Sequence, residues 1–372
     1  MTPHMSNAVL SMKAVRLVLS TIALLSVFLW PQGAAAALHV TFLNPGHQNE
    51  SFWGDVDRFM EAAANNLHID LTILHGERDS ARIMRLAQQI VDAPQRPDFI
   101  VIVNEKGTGP ALLQKLAPTG VGILMILNDL TPAQKAVLGQ PRGKIKNWLG
   151  SLIPDNHWVG YHTTETLYQK LRQQKPHQQQ YRLLAISGDR VTPASVQREQ
   201  GMRDFVATHP DLKLQQAVYG HWVTDRAHDQ ALLLFKRYPK TDAIWTANDM
   251  MAFGTIAAAH EAGRTPGKDL LISTVNSSKK VLRMTDDGEI TALGAGHFTA
   301  GGWALVMLYD YAHHHDFASD GLVIQRPLFN MIPAHSKLLD MLLRGDWSSI
   351  DFRAHSKALN GGKPYQFSLE SP

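Results

Sequence analysis

The chain contains no cysteine, which excludes disulfides and any lipid-modified N-terminal cysteine. It also lacks an excess of charge of either sign. Lys and Arg number 36, Asp and Glu 33, so there is no basic surplus of the kind a nucleic-acid partner needs. One long apolar run is present and no second follows it. The G-x-S-x-G elbow, the H-E-x-x-H zinc helix and the Walker loop are all missing. The segment Gly263-Arg264-Thr265-Pro266-Gly267-Lys268 has the composition of a phosphate loop but the wrong spacing. No base and nucleophile are placed so as to demand an enzyme, and no cofactor or metal is expected. The run His313-His314-His315 offers metal-ligating side chains, but consecutive histidines on a helix point in different directions, and a solvated helix end accounts for them.

The single apolar run is N-terminal. Lys13 and Arg16 precede Leu17 to Trp30, a charge-free stretch of 14 residues, and Pro31-Gln32-Gly33 breaks it before Ala34–Ala37. A membrane-spanning helix needs about 20 residues. The pattern instead reads as a cleaved secretory signal over 1–37, with the mature chain beginning near Leu38. Removing 37 of 372 residues takes away two positive charges and no acids, lowering the net charge from +3 to +1. An exported, cysteine-free, unanchored chain fits a periplasm, where thiols are at risk of oxidation. The remaining length suggests two domains.

From residue 38 onward, strand and helix patterns alternate. Strands are predicted over 38–43, 69–74, 99–103, 121–127, 181–186, 214–219, 243–246 and 270–275. Helices are predicted over 79–91, 158–173, 194–209, 227–238 and 250–262, together with an amphipathic segment on Phe52, Trp53, Val56, Phe59, Met60, Ala63 and Leu67. Continuously apolar strands such as 99–103 mark sheets covered on both faces. The fold class is α/β: two doubly wound parallel-sheet domains with right-handed crossovers. The basic, Pro- and Gly-containing stretch 128–154 interrupts the rhythm and reads as the connection between the halves.

Five predicted strands end on asparagine: Asn44, Asn104, Asn128, Asn248 and Asn276. Ligands of open parallel sheets bind beyond the carboxyl ends of the strands, and an amide there offers a donor and an acceptor without charge. Asparagine is equally a turn residue or helix N-cap after a strand. Phe52 and Trp53 follow Asn49-Glu50-Ser51 at the start of a helix. An aromatic ring can cover the apolar face of a sugar, although both rings also fit a core stripe; one is expected in the core and one at the cleft. Trp222 lies in a strand-to-helix loop and is a second aromatic candidate. Arg198, near the start of a helix, has a planar fork able to hold two oxygens, or it is a solvated helix arginine.

These segments resemble the type I periplasmic binding proteins, in particular the sugar-binding branch that serves bacterial ABC importers. The carriers are FLNPGHQNESFW, FIVIVNE, ILMILND, LIPDNHWVG, ASVQREQGMRDF and IWTANDMMAFGT, spread over nearly the whole mature chain. The resemblance implies that Asn49, Phe52, Trp53, Asn104, Asn128, Arg198, Asn248 and Asn276 line a cleft. It implies three crossings between lobes, near 129–156, 294–297 and 325. The corresponding division is a first lobe of 38–130 plus 297–323, a second of 131–296 plus 324–350, and a tail of 351–372. Two departures stand out. Sugar-binding members often carry aspartate where this chain has Asn128 and Asn276, and glutamine near Gly296, which here precedes His297.

The resemblance implies a small sugar-like ligand, and as partner an inner-membrane ABC permease or, alternatively, a membrane sensor protein. Related sugar-responsive repressors carry an N-terminal helix-turn-helix of about 60 residues, for which this chain has only the signal segment.

Overall fold

The structure, a computed structural model, describes residues 37–369. The expected signal segment 1–37 lies outside them except for its last residue. No helix of the described residues is long and apolar enough to cross a membrane.

The described residues form two six-stranded sheets. In the first, β1 (His39–Asn44), β2 (Asp70–His75), β3 (Phe99–Ile102), β4 (Gly122–Ile126), β5 (Trp148–Pro154) and β11 (Val323–Arg326) stand in the order β11-β5-β4-β3-β1-β2, every pair parallel. In the second, β6 (Tyr181–Ser187), β7 (Leu212–Tyr219), β8 (Ala243–Thr246), β9 (Leu271–Val275), β10 (Ala292–Ala295) and β12 (Asn330–Met331) stand in the order β12-β10-β9-β8-β6-β7. Only the β10–β12 pair is antiparallel. Each sheet is doubly wound, with its strand order reversing between β1 and β3 or between β6 and β8. Those reversal points open crevices at the strand ends.

The apolar runs show why both sheet faces are covered. Along β3, Phe99 and Val101 enter one core while Ile100 and Ile102 enter another. Alternation on a strand with two buried faces produces an unbroken apolar sequence. Helix α1 (Ser51–Leu67) buries Trp53, Val56, Phe59, Met60, Ala63, Ala64 and Leu67 along one stripe and ends where His68 turns left-handed at φ 55°.

Sheet membership corrects the expected lobe boundaries. Segment 131–154 belongs to the first lobe, because β5 pairs with β4 on one side and β11 on the other. The stretch before β5 is pinned to that lobe by Arg142, which donates to both Asp316 carboxylate oxygens and lies 5.2 Å over the Phe317 ring. The crossing is therefore confined to Pro154–Asp155, between β5 and helix α5 (Asn156–Gln174). Residues 324–326 likewise remain in the first sheet, so that crossing falls between β11 and β12.

The tail is also a fourth connection. After the helix Lys337–Arg344, which packs on the Lys279–Asp286 helix of the second lobe, the chain returns to the first lobe. There Trp347 and Phe352 pack on Phe59, and Phe367 stacks on Trp303 at 5.1 Å. Asp310, fully buried, accepts hydrogen bonds from Ser356 Oγ, the Lys357 and Ala358 amides and the Tyr365 hydroxyl.

Candidate ligand site between the lobes

The carboxyl ends of both sheets face one narrow cavity of about 60 Å³. Its walls come from both lobes. Phe52, Trp53, Arg78, Glu105 and Asn128 belong to the first; Asn156, Arg198, Trp222, Asn248, Asp249 and Asn276 to the second. His297 sits where β10 leaves the second sheet for the first-lobe helix Ala300–Ala312.

Of the five strand-end asparagines, the structure brings three to this cavity. Asn128 accepts from the Ala194 amide at 2.9 Å, a bond between lobes that leaves its Nδ2 for a ligand. Asn248 caps helix α8 (Asp249–Glu261) through Oδ1 and the Met251 amide, again leaving Nδ2. Asn276, at φ 117°, donates to Asp249 Oδ1 at 2.8 Å and keeps its carbonyl oxygen.

The other two serve the fold. Asn44 bonds Asp57 and the Gly46 amide. Asn104 donates to Asp129 O and Gln134, accepts from the Gly109 amide, and does not line the cavity. The expected ligand role of Asn104 is thus corrected: both ends of its amide are spent holding the turn after β3.

The aromatic candidates also divide. Trp53 is 3 % exposed, joins the main core and also lines the cavity, with Nε1 buried and unpaired. Phe52 is half-buried and lines the cavity. Trp222 donates to Asp189 at 2.8 Å and separates the cavity from an outer depression. Asn49 lies in that outer depression with His47 and His221, away from the inner cavity.

Arg198 is 4 % exposed, so the solvated reading fails. Its position is set by glycine. A Cβ on Gly160 would stand 1.9 Å from the Arg198 carbonyl oxygen, and one on Gly201 2.0 Å from that of His157. Helix α5 and helix α6 (Pro193–Ala207) therefore meet backbone to backbone, and Arg198 emerges at the seam. Its Nε donates to Asn156 Oδ1 at 3.0 Å, Nη1 to the Ala247 carbonyl at 2.9 Å, and Nη2 to His297 Nε2 at 3.1 Å. Burial lowers its pKa to about 9, with Asp249 and Glu105 opposing, so it stays charged at neutral pH.

Several wall residues carried no linear signal. Arg78, left-handed at φ 58°, clamps Glu50 and donates to Glu105 at 2.8 Å, joining residues separated by 28 and 27 positions. Burial raises the Glu105 carboxyl, Arg78 opposing. Burial also raises Asp249, against pulls from Ser278 and Asn276; its Oδ2 lacks a well-formed hydrogen bond. Asp55, on α1, accepts from the Ser277 hydroxyl of the other lobe at 2.8 Å, and burial lifts its pKa to about 6 against Arg58 and Ser277. No cluster of His, Cys, Asp and Glu suited to a metal occurs among the described residues, and the His313–His315 run sits exposed past a helix end.

Two parallel-sheet lobes joined by several crossings, with a polar cavity at their facing strand ends, define the bilobal type I binding-protein fold. A family model described as the periplasmic binding protein domain matches residues 40–315, and the chain belongs to that family. It is 39 % identical to a periplasmic sugar-binding protein from Pseudomonas fluorescens, over 90 % of this chain and 97 % of that one, with a TM-score of 0.79. The D-apiose import binding protein of Actinobacillus succinogenes is 24 % identical over 228 residues, 61 % of this chain and 66 % of the relative. The D-allose-binding periplasmic protein of Escherichia coli is 30 % identical over 107 residues, 29 % and 34 % of the two chains.

Proposed function

We propose that the protein captures a neutral, hydroxyl-rich sugar between its lobes in the periplasm and presents the closed form to an inner-membrane importer of the ABC class. The observation carrying this reading is the cavity wall. Both lobes contribute amides with unspent hydrogen-bonding capacity: Asn128 Nδ2, Asn248 Nδ2 and the Asn276 carbonyl oxygen. Phe52 and Trp53 add apolar ring surface.

The charge balance of the wall supports a neutral ligand. Glu50, Glu105 and Asp249 oppose Arg78 and Arg198, leaving no positive surplus for a phosphate or sugar acid. Asp249 also supplies a carboxylate beside Asn276, where monosaccharide-binding relatives often carry the aspartate itself. The names of the relatives point the same way. The work is binding rather than catalysis, since clamping a solute needs no nucleophile.

A thermal-shift screen of neutral sugars against sugar acids and sugar phosphates tests this. A ligand at 100 times its Kd adds about 2.7 kcal/mol of stability. Neutral sugars should raise the unfolding midpoint and anionic ones should not. A response confined to anionic ligands would refute the reading. Small-angle scattering with the hit should show a smaller radius of gyration if the lobes close on it.

A further inference from the structure

His297 is enclosed by aromatic rings and one arginine. Its imidazole stacks between Phe52, at 4.6 Å and 19°, and Phe329, at 4.4 Å and 28°. It is 2 % exposed and lines the cavity. Nε2 lies 3.1 Å from Arg198 Nη2. Nδ1 is buried and has no partner among the described residues.

A guanidinium has donors only. The Arg198 contact is a hydrogen bond only if Nε2 accepts, and an accepting Nε2 requires the proton to sit on Nδ1. The imidazolium, with a proton on both nitrogens, would set N–H against N–H beside a like charge. Among the described residues Arg198 is the only charged group hydrogen-bonded to the ring. The nearby wall also carries Asp249, Glu105, Glu50 and Arg78. Burial and then Arg198 hold the His297 pKa well below the usual histidine range, which agrees. An unpaired buried N–H is costly to leave unsatisfied. Phe52 and Phe329 cover the two ring faces, Arg198 holds Nε2, and the residue lines the cavity.

We propose that His297 is a specificity-determining residue of the cleft: a neutral imidazole, locked by Arg198 as the Nδ1–H tautomer, that offers the ligand a donor and no acceptor. Arg198 is then a positioning residue, acting on the ligand through His297 as well as through its own two uncommitted N–H groups. A glutamine side chain in this place would offer both a donor and an acceptor. The locked imidazole accepts only a ligand oxygen presenting a lone pair, such as a ring oxygen or a hydroxyl whose proton points elsewhere. This rests on the sugar-binding reading for its ligand but not for its tautomer.

The test has one arm that needs no ligand. In the histidine-15N-labelled mature chain, long-range 1H–15N spectra assign His297 by its loss in His297→Gln. The expected signature is a protonated Nδ1 and an unprotonated Nε2, unchanged from pH 5.5 to 8. In Arg198→Met the lock is gone, and the ring should show mixed tautomers or titrate. A wild-type ring carrying its proton on Nε2, or titrating in that window, overturns the lock.

The second arm is calorimetry with D-allose, D-apiose and further neutral sugars. His297→Phe preserves the ring stack and removes the donor, and should weaken the best binder about tenfold. His297→Gln restores a donor and should bind more tightly than His297→Phe. Equal affinity of wild type and His297→Phe overturns the donor role. If the wild type binds no sugar, the sugar-binding reading falls, the specificity role falls with it, and the spectra still decide the tautomer lock.

Discussion

Replacing Arg198 by lysine should destabilise the protein before any ligand is added. The guanidinium spans three acceptors in different directions: Asn156 Oδ1, the Ala247 carbonyl and His297 Nε2. A lysine brings one nitrogen on a shorter, unforked stem and can satisfy one of them, leaving two buried acceptors unpaired. Each orphaned buried group costs about 1–3 kcal/mol, and adjacent losses do not add fully, so about 2–4 kcal/mol is expected.

Unfolding entropy of about 2.1 cal/mol/K per residue gives about 0.7 kcal/mol/K for a mature chain of this length, so the midpoint should fall by about 3–6 °C. Differential scanning calorimetry of the ligand-free protein measures this, and titration calorimetry with the best sugar should show at least tenfold weaker binding. The sign is decisive. An arginine held in reserve for the ligand would make no such bonds in the free protein, and exchanging it for lysine, which keeps the charge, would leave stability unchanged. A lysine variant with an unaltered or raised midpoint would refute the structural role assigned here.

The Asp55 carboxyl, raised from 3.8 to about 6, is disfavoured when ionised in the folded state, so its contribution to stability falls as pH rises from about 4 to 6 and stays low above that. Asp55→Asn should flatten the urea-measured stability profile in that window and gain up to about 3 kcal/mol at pH 7, less whatever its Ser277 and Arg58 bonds contribute; an unchanged profile would sink this. Gly201→Ala forces a methyl against the His157 carbonyl and should cost about 1–3 kcal/mol by overpacking, with weaker sugar binding because Arg198 shifts; crystallography or calorimetry showing neither defeats the seam argument. Asp310→Asn turns an amide nitrogen toward a group of donors and should free the tail, seen as faster tryptic cleavage near Arg353 and Lys357 with the rest of the chain protected; equal cleavage rates would show that the tail is held without it.

The parts of the fold that could be read from the sequence are those whose burial leaves a periodic trace. The strands β1, β3, β4, β8 and β9 are apolar on both faces, and helix α1 carries a single stripe. Strand β5 escaped because WLGSLIP mixes glycine, serine and proline into its run and follows a basic loop; only its pairing between β4 and β11 makes it a strand.

The cavity wall was legible where its residues sit in a short motif, as with Arg198 and Asn248. It was illegible where partners meet across lobes or between distant turns, as with Arg78, Glu50 and Glu105, or Asp55 and Ser277. Asn44 and Asn104 show the reverse failure. A strand-end asparagine looks the same in sequence whether its amide faces a ligand or closes a turn. His297 was visible only as a departure from a family pattern, and its meaning required Arg198 beside it.

The cross-lobe contacts also bear on why a small solute could control the conformation. Among the described residues the lobes share two hydrogen bonds, from the Ala194 amide to Asn128 at the cavity wall and from the Ser277 hydroxyl to Asp55 beyond it. A typical net worth of about 0.5–1.5 kcal/mol apiece cannot by itself hold two lobes shut against the hydration each surface regains on opening. The Phe52–His297–Phe329 stack adds apolar contact, but two of its three rings sit on crossing segments and can travel with either lobe. On the proposed reading, closure then depends on a ligand that bonds Asn128 on one side and Asn248, Asn276 and Asp249 on the other, because only the closed form offers both sets at once. The tail bounds the motion from the other side. A chain that leaves the second lobe at Arg344 and is bound at Asp310 of the first within a dozen residues sets a short tether, so on the proposed reading opening would be a limited rotation about the crossings rather than a separation.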